Sequence, residues 1–167
     1  MGGSALNRTL RVLRLLPLAS VVATLILAAV PASAATCIGT NGDDTLSCSS
    51  GDDFIDGLNG DDLLHGLGGH DEIWGRSGFD VLAGDAGADD LFGAGGNDVS
   101  LGDSGNDLLD DSSVGADGDH LCGLTGSNDV IHMDDGDGSD VGWDFDGATV
   151  TRDFNDTMHW TGSFECP

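Results

Sequence analysis

Apolar residues return at every ninth position through the middle of the chain. Between residues 39 and 110 this ladder reads Leu46, Ile55, Leu64, Ile73, Leu82, Leu91, Ser100 and Leu109, apolar in seven of eight. A period of nine fits neither a 3.6-residue helix nor a long alternating strand. It predicts short strands at positions seven to nine of each unit, roughly 10 Å long, with the eighth side chain turned inward and its neighbours outward. The first six positions then form loop. Glycine stands fourth in every unit (Gly42, Gly51, Gly60, Gly69, Gly78, Gly87, Gly96 and Gly105), where it permits positive φ and close approach of backbones. Eight units in register describe an all-β solenoid.

Past residue 110 the spacing loosens. Residues 111–113 read as an insertion, after which a unit resumes with Asp119 sixth and Leu121 eighth. The next unit, headed by Gly123, places Asn128 sixth and Val130 inward, and a last one aligns Gly138 and Asp140. Trp143, Phe145, Phe154, Trp160 and Phe164 put five of the nine aromatics in the final 25 residues. That concentration is what a cap on the open end of a solenoid requires. The expected organisation is a leader over 1–34, an N-terminal cap over 35–38, strict repeats over 39–110, degenerate repeats over 111–142 and an aromatic cap over 143–167.

The leader reading rests on Arg8, Arg11 and Arg14, an apolar run over 15–30, and Ala32-Ser33-Ala34 as a signal-peptidase site, with cleavage before Ala35. The run is too short to favour a membrane anchor. A lipoprotein signal would use Cys37, but Thr36 before it fits that poorly. Export changes the charge, because residues 35–167 keep all thirty acids against Arg76 and Arg152 and contain no lysine, a formal −28. Such a chain repels nucleic acid and anionic membranes, and it repels itself. Cys37, Cys48, Cys122 and Cys166 are an even set suited to two disulfides. Of three connectivities, sequence proximity favours Cys37–Cys48 with Cys122–Cys166.

The sixth position supplies the chemistry. It is aspartate in all eight strict units: Asp44, Asp53, Asp62, Asp71, Asp80, Asp89, Asp98 and Asp107. One loop offers a single reliable carboxylate and a few carbonyls, too few for calcium, which takes six to eight oxygens. Two stacked loops offer enough, so metal binding and folding are expected to be one event. Magnesium holds its waters and demands octahedral geometry, so a carbonyl-rich cage favours calcium.

The repeats resemble the calcium-binding nonapeptides of the RTX (repeats-in-toxin, haemolysin-type) family, G-G-x-G-x-D-x-U-x with U a large aliphatic residue. The resemblance implies a right-handed parallel β-roll with two repeats per turn and calcium between loops on one edge. Loop n then pairs with loop n+2, giving one rank of Asp44, Asp62, Asp80 and Asp98 and another of Asp53, Asp71, Asp89 and Asp107. It implies up to about six ions within the strict repeats, with the eight fourth-position glycines as loop backbone and Asp119, Asn128 and Asp140 as weaker ligands. The chain departs from the family at position two, usually glycine, which here is Thr40, Ser49, Leu58, Leu67, Arg76, Asp85, Ala94 and Asp103. Cys48 also replaces the first glycine of its unit. The family's toxins leave by a C-terminal signal, whereas this chain opens on an N-terminal leader, so toxin activity is not carried over.

The functional expectation is a secreted calcium-binding repeat protein, structural or interacting rather than catalytic. Calcium ions are its partner, without nucleic acid or membrane insertion. The alternatives are an extracellular adhesin or surface-binding module and a polysaccharide-modifying enzyme. The first lacks an outward Thr or Ser rank at positions seven and nine. The second lacks both a convergent polar cleft and any HExxH, GxSxG or Walker motif. His65, His70, His120, His132 and His159 are scattered and read as surface residues.

Overall fold

The computed structural model describes residues 32–111, 118–126, 128–133, 140–144, 149–152 and 157–160, all strand or loop without helix. The strands run β1 (Thr36–Ile38), β2 (Thr45–Ser47), β3 (Phe54–Asn59), β4 (Leu63–His65), β5 (Glu72–Ser77), β6 (Val81–Ala83) and β7 (Asp90–Gly95). They continue as β8 (Val99–Leu101), β9 (Leu108–Asp110), β10 (His120–Cys122), β11 (Val130–Met133), β12 (Val141–Asp144), β13 (Thr149–Arg152) and β14 (Thr157–Trp160). Odd-numbered strands form one seven-stranded parallel sheet and even-numbered strands another. Each turn of the roll therefore takes two nonapeptides. The register follows: Phe54 pairs Glu72, Glu72 pairs Asp90 and Asp90 pairs Leu108, eighteen residues at a time.

The ninefold apolar ladder fills the space between the sheets. Ile55, Leu64, Ile73, Leu82 and Leu91 are fully buried and form one cluster, against which Cys37, Leu46 and Cys48 pack. Leu109, Leu121, Ile131 and Met133 form a second. Ser100, buried on β8 between Leu82 and Leu121, stands where the two clusters part. The core is one side chain deep on each sheet, as expected when a single position in nine points inward.

Against the expected three residues, β3, β5 and β7 run to six and β11 to β14 to four. In β3, β5 and β7 the pairing extends through positions two and three of the following unit, with Leu58 against Arg76 and Arg76 against Ala94. At the N-terminal end, residues 36–38 take positions seven to nine of a partial unit, with Cys37 packed against the core and bonded to Cys48, which directly follows β2. That pairing is the one sequence proximity favours. Cys122 is also disulfide-bonded, to a partner outside the described residues. Pairing continues through β13 and β14 into the stretch expected as a cap; Phe145, Phe154 and Phe164 lie outside the described residues.

Stacking one turn on the next also orders the outside. On the odd-numbered sheet the Arg76 guanidinium donates to Asp56 Oδ1 at 3.1 Å and Oδ2 at 3.0 Å. It lies 4.4 Å from the Trp74 ring centroid, and that ring stacks on Phe92 at 4.2 Å. These residues occupy neighbouring turns, so the stack clips the turns together from outside. On the other sheet Leu63, Val81, Val99 and Leu101 lie outward on neighbouring turns and form an apolar patch, bordered by Thr45, Ser47, His65 and His120.

Inward and outward leucines should therefore differ sharply. Leu82→Ala is expected to cost about 3 kcal/mol in a calcium-saturated urea melt, while Leu63→Ala, one-third exposed on the adjacent strand, should cost under about 1 kcal/mol. Similar costs at both positions would contradict the assigned inward face.

Candidate metal centre

Each loop turns the chain from one sheet to the other, and the sixth-position aspartate closes it. Its Oδ1 accepts the backbone N–H of the aspartate one turn earlier. On one edge Asp44, Asp62, Asp80, Asp98 and Asp119 donate in turn to Asp62, Asp80, Asp98, Asp119 and Asp140, at 2.6–2.9 Å. On the other, Asp53, Asp71, Asp89 and Asp107 donate to Asp71, Asp89, Asp107 and Asp129, at 2.8–3.0 Å. The two ranks expected from loop n pairing with loop n+2 are both present. From Asp53 onward these carboxylates are buried.

The second oxygen has a different environment. Oδ2 of Asp62, Asp71, Asp80, Asp89 and Asp107 is buried with no hydrogen-bond donor. Each reaches back beneath the first residue of its own loop. A Cβ at Gly75 would lie 2.5 Å from Asp80 Oδ2 and 2.9 Å from the Gly93 carbonyl oxygen, so the carboxylate itself imposes glycine there. Fourth-position glycines answer to backbone instead: Gly105, at φ 154°, seats directly on the Gly87 carbonyl, and a side chain would collide with it.

Burial pushes the Asp80 and Asp107 carboxyls up to about 6 and Asp89 up to about 7. The single N–H that each accepts pulls the other way, and the carboxylates of neighbouring turns push further up. Asp62 and Asp71 are raised for the same first cause. A stack of buried, half-satisfied carboxylates fits a hard cation. Among the described residues no three or more His, Cys, Asp or Glu side chains cluster as a metal site. A shell here would join these carboxylates to loop carbonyls, a donor set for calcium and not for a soft transition metal.

The first two loops differ. Thr40 N–H and hydroxyl donate to Asp44 Oδ2 at 2.5 and 2.9 Å, and Ser49 N–H and hydroxyl to Asp53 Oδ2 at 2.7 and 2.8 Å. For Asp53, burial raises the pKa, but the bonds from Ala35 and Ser49 outweigh it and the net shift is downward. From the third unit on, position two is left-handed: Leu58, Leu67, Arg76, Asp85, Ala94 and Asp103 have φ between 65° and 86°. This geometry explains why glycine suits that position, and the stacked loops impose it on side chains that disfavour it.

Sequence reasoning missed two features. Asp43, Asp52 and Asp61, at position five, accept the backbone N–H of Asp61, His70 and Phe79 one turn on, at 2.9–3.1 Å, forming an outer ladder. The register of the unit headed by Gly123 also needs correction. Asp129, not Asn128, is buried and bonds Asp107, and Ile131, not Val130, is inward. Gly126 still stacks on Gly105, so the loop carries one extra residue between Gly126 and Asp129. Asn128 is exposed. The adjacent Asn-Asp pair was the signal, since either residue fits position six. Asp119 and Asp140 take their expected places, and Gly138 lies outside the described residues.

Residues 38–73 and 74–109 each match the family model of the RTX calcium-binding nonapeptide repeat, four copies at a time. No curated protein and no solved structure matches the chain.

Two outcomes are expected at these loops. Asp129→Ala should destabilise the calcium-saturated chain by about 2 kcal/mol or more, and Asn128→Ala by under about 0.5 kcal/mol; equal effects would restore the shorter register. The second concerns pH. Folded carboxyl pKa values above 3.8 mean that the folded chain binds protons more tightly than the unfolded one. Without a cation, stability is therefore gained as pH falls from about 7 toward 4 and lost as it rises through that window. Far-ultraviolet circular dichroism in EGTA should show β signal growing on acidification, and calcium affinity should weaken over the same range.

Proposed function

We propose, from the premise that residues 38–109 are RTX calcium-binding nonapeptide repeats, that the whole chain is an exported calcium-dependent roll with a structural or interaction role and no catalytic one. The observation that carries this reading is the row of buried Oδ2 atoms without donors at the loops of successive turns. When bound, calcium supplies the positive charge and oxygen-accepting shell those loops lack. Asp62, Asp71, Asp80, Asp89, Asp98 and Asp107 are the side chains that would hold it in the strict repeats, with Asp119, Asp129 and Asp140 beyond them. Asp44 and Asp53 stand at the ends of their ranks, where Thr40 and Ser49 already donate to them. The loop backbone of Gly42 to Gly105 brings carbonyls close enough to share.

The described ladders contain five stacked loop pairs on one edge and four on the other, six of them inside the strict repeats. Six to nine ions per chain is the proposed range. Neighbouring sites share a loop, so binding is cooperative, with affinity per site on the order of 10⁻⁴–10⁻³ M as in other extracellular modules.

Export is supported by the leader pattern of residues 1–34 and by the Cys37–Cys48 bond, which suits an oxidising compartment. That bond also commits the Cys37 sulfur, against a lipoprotein anchor. Among the described residues no helix is long and apolar enough to cross a membrane. An interaction role is supported by the apolar outward face of Leu63, Val81, Val99 and Leu101, with Phe79 half exposed beside it.

The test is a calcium titration of the exported chain, followed by circular dichroism and calorimetry. Coil in EGTA converting cooperatively to β structure, with six to nine ions bound, is the expected result. β signal already complete in EGTA would overturn coupled folding, and fewer than four ions would overturn the loop-pair sites.

A further inference from the structure

We propose that removal of the leader after Ala34 creates a binding group. The new α-ammonium of Ala35 seats on the Asp53 carboxylate and gives that end of the ladder a cation from the chain itself. This rests on the export reading above. Hydrolysis breaks the Ala34–Ala35 C–N bond with one water. The carboxylate leaves with Ala34, and Ala35 keeps the nitrogen as an ammonium.

The place is already built. Ala35 N lies 2.6 Å from Asp53 Oδ1. It is the eighteen-residue predecessor of Asp53 and stands where every later rung of that rank has an aspartate N–H. Among the described residues only 32–34 precede it, with Ala32 against Gly51 and the Ser33 carbonyl accepting the Ser49 hydroxyl at 3.2 Å, and they bring no carboxylate, so Asp53 closes a half-site. Ala35 does not depend on residues 32–34 for its position. Its carbonyl accepts Phe54 N–H at 3.1 Å, β1 pairs with β3 from the next residue, and Cys37 is tied to Cys48. Residues 32–34 are exposed, whereas Ala35 is half-buried. Ser49 holds Asp53 Oδ2 through its N–H and hydroxyl and reaches Oδ1 only with that hydroxyl, at 3.0 Å, while the shorter contact to Oδ1 is the one from Ala35 N.

Composition adds an independent reason. An amide N–H offers one uncharged donor, while an ammonium offers three and a full charge, and charge-assisted pairs are the stronger ones. Residues 35–167 contain no lysine, so the α-ammonium is their sole primary amine and, at neutral pH, joins Arg76 and Arg152 as a third cation among thirty acids. Arg76 is committed to Asp56.

The same selectivity makes the test clean, because an amine acetylating reagent can modify this chain at one nitrogen only. The exported protein is purified and its intact mass measured, with a chain beginning at Ala35 expected. In saturating calcium the acetylated protein should melt roughly 3–6 °C lower than the free one. Asp53→Asn should abolish that difference. Folding should also slow acetylation by about tenfold or more relative to EGTA, a readout that does not need the variant to fold. A mass retaining Met1 would overturn the export reading and this one with it. A chain starting at Ala35 whose midpoint ignores acetylation, or whose amine reacts equally fast in both states, would overturn this inference alone.

Discussion

The roll depends on a carboxylate that does two jobs at once. Through Oδ1, each sixth-position aspartate from Asp62 on receives the N–H of the aspartate one turn earlier, and within the strict repeats this bond fixes the eighteen-residue advance between turns. Through Oδ2, Asp62, Asp71, Asp80, Asp89 and Asp107 carry charge into a space where the protein supplies no donor. The first job needs the side chain buried and aligned, and the second makes that burial costly, since an uncompensated buried charge costs several kcal/mol even after relaxation. With one such group in every nine residues, a thin apolar ladder cannot offset the sum. On the function proposed above the fold is thereby conditional on charge from outside, and the expected responses to acid and to calcium have a single origin.

The glycines follow from the same side chain. First-position glycines such as Gly75 exist because the carboxylate occupies the space a Cβ would need, and fourth-position glycines such as Gly105 because backbones stack there. Position two is different. Its left-handed backbone is a demand of the turn, not of space, so Leu58, Arg76 and Ala94 can meet it at a cost that the surrounding pairing absorbs. At the first two units, where no complete loop lies beneath, Thr40 and Ser49 bring hydroxyls that take over part of the missing charge compensation.

Much of this was legible in the sequence because repetition makes a weak local signal specific. The ninefold spacing gave Ile55, Leu64, Ile73, Leu82 and Leu91 their inward orientation, and the family resemblance implied the two ranks of aspartates. Legibility failed where the period broke. In the unit headed by Gly123, Asn128 and Asp129 are chemically adjacent candidates, and only pairing of Val130 with Leu108 and Ile131 with Leu109 decides between them. The long strands β3, β5 and β7 were also hidden, because their added residues pair through backbone alone and leave no side-chain pattern.

The sequence by itself determined the repeat length, the inward ladder, the carboxylate at each loop and the excess of negative charge, because each is a property of residue type and spacing. Only the tertiary structure decided which outward residues share a face. Odd and even units alternate between sheets, so Trp74 and Phe92 meet on one while Val81 and Val99 meet on the other, a sorting that appears once the turns are stacked. The tertiary structure likewise decided which carboxylate oxygens are satisfied, since donors such as Ala35 N–H come from residues eighteen positions away. A carboxylate's charge is written in its residue type, but its compensation depends on what the fold brings within hydrogen-bonding distance.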